Sequence, residues 1–440
     1  MFEQLSLLDL NTLQHPKSFH KKIQDSGFIY QQIDIGDITF KSSQIESIHR
    51  WYRLTPSYSP NLVRFLIKEL EINRKNFVLD PFSGRGTTSI ECQKYGIKSL
   101  GIEINPLLQQ VGNKSLRWNK NDLHLFKKYL VAALNLIEKF KESSLECVVD
   151  ALGTSIPIIY NVFRWWKKSV LKDLIIFREL MINSAYSSIY DYLWIAVNEA
   201  CLNCANIHRN HPTITFDDNH TRPIDVFYEV RKNLQVICDD LMNLSVEELS
   251  FSGLSSIQLG NSTHSLKQQI NCPVDFVITS PPYPNRYSYV HQTRPQLHFM
   301  EILENRKQAT EIDLQAIGGT WGRATSILQK ELISVPPDIQ PYLCYYEELQ
   351  SQSVLMCNYA TKYFIDMWKH IRFLKQVKST QFRGVYIVGN SRLSGVEIFT
   401  ESILGHLFRH EGFSVEKIVS FRKRGGKKSL YESAIFIKNY

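Results

Sequence analysis

The segment Phe77-Val-Leu-Asp80-Pro81-Phe82-Ser83-Gly84-Arg85-Gly86-Thr87-Thr88 limits the possible folds of this chain more than any other. A short β-rich run ends in an acid, passes through a glycine-rich turn and enters a helix near Thr87. Glycine reaches positive φ without steric cost and lets a ligand approach the backbone closely. In an open α/β sheet such a turn follows the first strand, where nucleotide-like cofactors bind. The next apolar run, Lys98 to Ile102, reads as the second strand and ends at Glu103, 17 positions after Gly86. An acid there can take the two hydroxyls of a ribose.

A third feature lies far downstream. Val274 to Ile278 reads as a buried parallel strand with Asp275 near its start, and it ends at Thr279-Ser280-Pro281-Pro282-Tyr283. Two consecutive prolines fix φ, remove two backbone donors and stop both strand and helix. The product is a stiff turn with bare carbonyl acceptors, a hydroxyl before them and an aromatic ring after them. Such a turn can accept hydrogen bonds from an amino group while Tyr283 covers a flat ring, which is what a flipped nucleobase with an exocyclic amine requires.

Composition sets outer bounds. A chain of 440 residues can hold one large domain with an insertion, or two domains. The net charge of +8 favours a polyanionic partner. No apolar run reaches the ~18 residues of a membrane span, and the start lacks the pattern of a secretion signal. Eight scattered cysteines suggest a reduced cytosolic protein rather than a disulfide scaffold.

Taken together, these motifs resemble those of amino-directed DNA methyltransferases that use S-adenosylmethionine. Asp80 to Thr88 is similar to their cofactor motif. Thr279 to Tyr283 is similar to their catalytic motif, in the serine form typical of the cytosine-N4 enzymes of type II restriction–modification systems. Adenine-N6 enzymes more often carry Asp or Asn at the position of Ser280. Tyr58-Ser-Pro-Asn-Leu-Val63 looks like the family segment against the methionine end of the cofactor, and Leu259-Gly-Asn-Ser262 stands where the family often has an acid for the adenine. Here that position is Asn261, a departure. Val385 to Ser391 looks like the fifth strand and its loop. Phe413 to Phe421 and Glu432 to Lys438 look like the closing hairpin.

The resemblance implies an α/β, Rossmann-like class I methyltransferase with a mostly parallel seven-stranded sheet closed by an antiparallel hairpin, plus a helical insertion. It implies that S-adenosyl-L-methionine is held by Ser59, Asp80, Phe82, Gly84, Gly86, Thr87, Glu103 and Asn261, and that Ser280, Pro281, Pro282 and Tyr283 act on the base. The activity implied is methyl transfer to N4 of a flipped cytosine in double-stranded DNA, protecting it from a cognate restriction endonuclease. An adenine-N6 enzyme, an RNA guanine-N2 enzyme and a non-catalytic DNA-binding relative are the alternatives. Ser280 argues against the RNA enzyme, and the intact Asp80, Gly84, Gly86, Glu103, Ser280 and Tyr283 argue against lost activity. No Pro-Cys-Gln nucleophile offers itself for C5 methylation.

The layout implies an insertion, because Ser280 lies 200 positions after Asp80. The expected division is an N-terminal segment at 1–45, cofactor motif at 46–110, helical insertion at 111–250, catalytic motif at 251–300, a loop-rich segment at 301–345 and the remaining methyltransferase part at 346–440. Within the insertion, Phe126, Leu130, Ala133, Ile137 and Phe140 form one helical stripe, and Phe227, Val230, Leu234, Ile237 and Leu241 another. The candidate DNA contacts are Arg286, Arg294 and Arg323, with Arg422, Lys423 and Arg424 on a basic hairpin loop. For that loop, solvated surface and phosphate contact both stay open. Trp165-Trp166-Lys167-Lys168 reads either as a DNA contact or as helix core with a solvated edge. Cys201, Cys204, His208 and His211 are too closely spaced for a zinc finger, so no metal is expected and the cysteines read as helix-face apolar groups.

Overall fold

A computed structural model describes residues 27–32, 45–54, 57–208, 214–219, 222–319, 323–424 and 430–440, with the side chains of 323 and 324 excepted. Its centre is a sheet in the order β1-β9-β10-β6-β5-β2-β3-β4. The strands are β1 (Tyr30–Gln32), β2 (Phe77–Asp80), β3 (Lys98–Glu103), β4 (Ser256–Leu259), β5 (Val274–Thr279), β6 (Lys378–Gly389), β9 (Phe413–Arg424) and β10 (Leu430–Asn439). β7 (Ser391–Leu393) and β8 (Val396–Ile398) form a separate two-stranded hairpin.

β2 lies between β3 and β5, parallel to both. From β2 the chain builds outward through β3 and β4, then returns to build β5 and β6 on the other side. This reversal opens a crevice at the carboxyl ends of β2 and β5. β10 runs antiparallel to both β6 and β9, the closing hairpin expected from sequence. The expected seven strands are joined by an eighth, since β1 pairs parallel with β9 at the sheet edge.

Two of the helices that flank the crevice start by the same device. Ser59 and Asn105 each accept a hydrogen bond from the backbone two residues on, and each is followed by proline at the first helical position of Pro60–Glu69 and Pro106–Ser115. Both helical stripes of the insertion fold as helices, Leu125–Lys139 and Val226–Asn243.

The insertion keeps only a small cluster of its own, around Phe140, Val148 and Ile176, and shares its main core with the rest of the chain. Trp165, Trp166, Leu174 and Leu193 share one cluster with Trp51, Leu107 and Leu297, which belong to the sheet-flanking layer. The segment 301–345, expected to be loop-rich, carries the helices Arg306–Gln315 and Arg323–Leu328. No helix among the described residues is long and apolar enough to cross a membrane.

Candidate active site

The glycine turn and the end of β3 make one unit. Gly84 takes φ +54 and its N–H donates to Oε2 of Glu103 at 2.7 Å, while the N–H of Asn105 donates to Oε1 at 2.8 Å. Each carboxylate oxygen therefore has one backbone donor. Burial nonetheless dominates and pushes the Glu103 carboxyl up to about 7. Phe82, Ile102, Ile104 and Leu108 give the adjoining cavity apolar walls, and Ser57 and Tyr58 close it from the preceding segment.

Several residues read as cofactor ligands stand behind that wall. Asp80 is fully buried: its Oδ1 accepts from Thr279 Oγ1 at 2.6 Å and its Oδ2 from the Tyr58 hydroxyl at 2.9 Å. It thus fastens the glycine turn of β2 to the start of the Ser280–Tyr283 turn after β5. Burial raises its carboxyl, and the Thr279, Thr88 and Tyr58 hydroxyls oppose that shift. Ser59 is buried as a helix cap, leaving Ser57 and Tyr58 on the cavity. Gly86 has φ +92, and a Cβ on it would lie 2.8 Å from Cδ1 of Ile257. It serves the close packing of the turn on β4. Phe82, Gly84, Thr87 and Glu103 do line the cavity. Asn261 also lines it, but its side-chain oxygen already accepts from the N–H and Oγ1 of Thr263 at 2.9 and 2.8 Å.

The tetrapeptide Ser280 to Tyr283 opens onto the same cavity as Glu103. Burial raises the pKa of the Tyr283 hydroxyl, the Glu432 carboxylate adds to the shift and the Ser280 side chain opposes it. Glu432 lines the cavity, its carboxyl raised by burial, and its Oε1 accepts from Arg422 Nη2 at 2.9 Å. The Arg424 guanidinium lies 5.0 Å from the Tyr283 ring centroid, and its Nη2 donates to the Asn390 carbonyl. Gly389 opposes Glu432 in the register of β6 and β10. A Cβ there would meet Tyr283 Cδ2 at 2.9 Å and Arg424 Cζ at 2.5 Å, so only glycine leaves room for that contact.

Arg422 and Arg424 are not simply a solvated loop: both are half-buried on β9. Both turn inward against the catalytic motif, and only Lys423 of the three is exposed. The signal for this lies in pairing, because Glu432 is register partner to both Arg422 and Gly389. Sequence reading passed over Glu432 because an acid in a strand is ordinary until its partners are known.

The other DNA candidates separate. Arg286 is exposed at φ +58 between Asn285 and Tyr287, which both line the cavity, and its N–H donates to the Tyr359 hydroxyl at 2.8 Å. Arg294 is half-buried, its guanidinium 5.5 Å from the Trp165 ring centroid. The side chain of Arg323 lies outside the described residues. Trp165 and Trp166 are core, with Trp166 Nε1 donating to the Cys201 carbonyl at 2.9 Å. Lys168 pairs with Glu146 at 2.7 Å on the surface. Cys201 and Cys204 are buried, with the Cys204 thiol pushed up to about 12 by burial, and His211 lies outside the described residues.

The family model N6_N4_Mtase, described as DNA methylase, matches residues 11–114. Type II methyltransferase M.AvaI of Nostoc sp. is 22% identical over 452 positions, spanning 94% of this chain and 89% of its own length. Type II methyltransferase M.BsoBI of Geobacillus stearothermophilus is 24% identical over 288 positions, 61% of this chain and 56% of its own. Type II methyltransferase M.MvaI of Kocuria varians is 19% identical, across 88% of this chain and 86% of its own.

Proposed function

We propose that this chain is an S-adenosylmethionine-dependent, amino-directed DNA methyltransferase, and that the amine it methylates is N4 of a cytosine extruded from the duplex. One observation carries the reading: Ser280, at the carboxyl end of β5, opens onto the cavity that also holds Glu103 and the glycine turn. The serine form of this tetrapeptide, as opposed to an Asp or Asn form, is the feature that favours cytosine.

The cavity fits the cofactor. The Glu103 carboxylate keeps further lone pairs for a ribose diol after accepting its two backbone bonds. Phe82, Ile102, Ile104 and Leu108 suit a purine and a methionine chain, and Gly84 lets the ligand approach the turn. When bound, S-adenosylmethionine supplies a sulfonium methyl already activated for transfer.

The chain's own residues then have a defined task. The N4 lone pair of cytosine is delocalised into the ring and is weakly nucleophilic. Ser280 Oγ and the Pro281 carbonyl would accept the two amine hydrogens, fix the direction of the lone pair and return electron density to nitrogen. Pro281 and Pro282 carry no N–H, so that turn presents acceptors to the amine. Tyr283 would cover the base, its ring flanked by the Arg424 guanidinium and by Gly389. The proton leaves after transfer, so no base with a shifted pKa is needed beforehand. We place the enzyme in the cytoplasm beside a cognate restriction endonuclease, whose cutting at the same site the methyl group would block.

Mass spectrometry of nucleosides from DNA methylated in vitro tests the base. N4-methylcytosine, with neither N6-methyladenine nor C5-methylcytosine, is the expected product. N6-methyladenine would overturn the cytosine assignment.

A further inference from the structure

A second cavity backs onto the catalytic one. Ser288, Val290 and Asp313 line both. The far side is built from Tyr160 of the insertion, Arg294 and His298 of the helix Tyr289–Phe299, and Arg306 and Thr310 of the next helix.

Its polar groups are poorly matched by protein alone. His298 is 2% exposed and its Nδ1 has no hydrogen-bond partner, and Arg294 Nε is likewise buried and unpartnered. Burial lowers the pKa of Arg294 and takes His298 down to about 4. Arg294 as a whole is only half-buried, so the rest of its guanidinium stays open to an acceptor in the cavity. Arg306 adds a second guanidinium, held by its Nε on the Ile158 carbonyl at 3.1 Å. Asp313 is the lone carboxylate among the described lining residues, and its Oδ1 accepts from the Ser288 hydroxyl. Two guanidiniums against one carboxylate leave the cavity net positive, with imidazole and hydroxyl donors beside them.

We propose that this second cavity holds the phosphodiester flanking the extruded nucleotide, gripped by Arg294, Arg306 and His298. The inference rests on the DNA substrate and not on which base is methylated. A nucleotide whose base enters the first cavity brings its sugar and phosphate to the shared wall. Arg294 and His298 stand one helical turn apart on the helix forming that wall, so both can reach a single phosphate. The grip would fix the backbone from which the base swings.

The test uses the full chain, S-adenosylhomocysteine and a duplex carrying the recognition site, mapped by sequencing DNA that the enzyme has methylated. Single phosphodiesters around the target base are replaced in turn by uncharged methylphosphonates, and binding is followed by fluorescence anisotropy. One replacement next to the target should weaken the wild type about tenfold and leave Arg294→Gln unaffected, since that variant has already lost the contact. The salt slope of Arg294→Gln should be shallower by about one. Arg306→Gln should show the same insensitivity, which covers the case in which Arg294→Gln fails to fold. Variants that still lose tenfold on the same replacement would overturn the proposal. So would Arg294→Gln duplex binding that is weakened by base changes but not by backbone charge, which would assign the cavity to base reading. Competition by free inorganic phosphate with no effect of methylphosphonates would assign it to a soluble anion, against the proposal. The binding readout does not depend on which base is methylated, so an error in the base assignment leaves the result standing.

Discussion

At the scale of single residues, Glu103 shows burial and backbone donors acting in opposite directions. The backbone N–H groups of Asn105, Gly84 and Ile104 favour the carboxylate, burial disfavours it more, and the group sits at about 7 instead of the ordinary 4.5. Its folded pKa is therefore raised. The cofactor-free protein gains stability from Glu103 below its ordinary pKa and loses that gain as pH rises through about 7. In the proposed role, a ribose diol would donate to the charged form, so cofactor binding would have to expel the proton below that pH. The dissociation constant for S-adenosylmethionine should rise about tenfold per pH unit on the acid side of 6. Glu103→Gln should bind tens-fold more weakly at pH 8, from losing charge-assisted bonds of ~2–3 kcal/mol, and should lack the slope. Calorimetry across pH checks both, and a folded Glu103→Gln protein with wild-type affinity would remove Glu103 from the cofactor site.

At the scale of elements, the strand–turn–helix from β2 into Thr87–Lys94 was legible because its rules are local. An apolar run, a bend needing positive φ and a helix start all leave marks within a dozen residues. What Gly86 does was not legible. Its φ of +92 follows from the turn, but the 2.8 Å approach to Ile257 comes from a strand 170 positions later. Gly86→Ala should cost about 1–2 kcal/mol from backbone strain alone, and more from the clash. The melting temperature should fall by several degrees. Adding Ile257→Ala relieves only the clash, so the double variant should melt no lower than the sum of the singles and still below Ile257→Ala. Melting of Gly86→Ala at the wild-type temperature would show that the turn relaxes freely. The closing hairpin has the same lesson. Its alternation was readable, whereas the inward turn of Arg422 and Arg424 depends on Glu432 and Tyr283 across the sheet.

At the scale of the molecule, the insertion and the methyltransferase sheet form one structure, and Asp240 is a principal fastening. It is 2% exposed, on the helix Val226–Asn243. Its carboxylate accepts from the Ile48 N–H at 2.9 Å, from Trp51 Nε1 at 2.9 Å and from Arg50 Nη2 at 2.5 Å. Arg85, inside the glycine turn, reaches the same segment by donating to the His49 and Tyr52 carbonyls. The chain 48–52 is thus tied at once to the insertion and to the cofactor turn. Asp240→Ala would strand several buried donors and should cost about 3–5 kcal/mol. Urea denaturation of that variant should show a lower midpoint, and cofactor affinity should fall as the 48–52 segment loosens. Unchanged stability and affinity would mean the insertion is only loosely attached.

The sequence by itself determined what short-range chemistry dictates. It specified the two strand-end turns, the acid closing the second strand and the helical stripes, because period, proline and glycine act within a few residues. Only the tertiary structure decided which like residues face inward. Arg286 stays exposed, Arg294 is half-buried over Trp165, and Arg422 and Arg424 lie on the catalytic motif, although all are arginines in polar surroundings of sequence. Asp80 and Glu103 both end strands, yet one is a buried tie between motifs and the other faces the cavity. Burial and partner depend on pairings between residues hundreds of positions apart, and those are set by sheet register and the shared core, which no local pattern encodes.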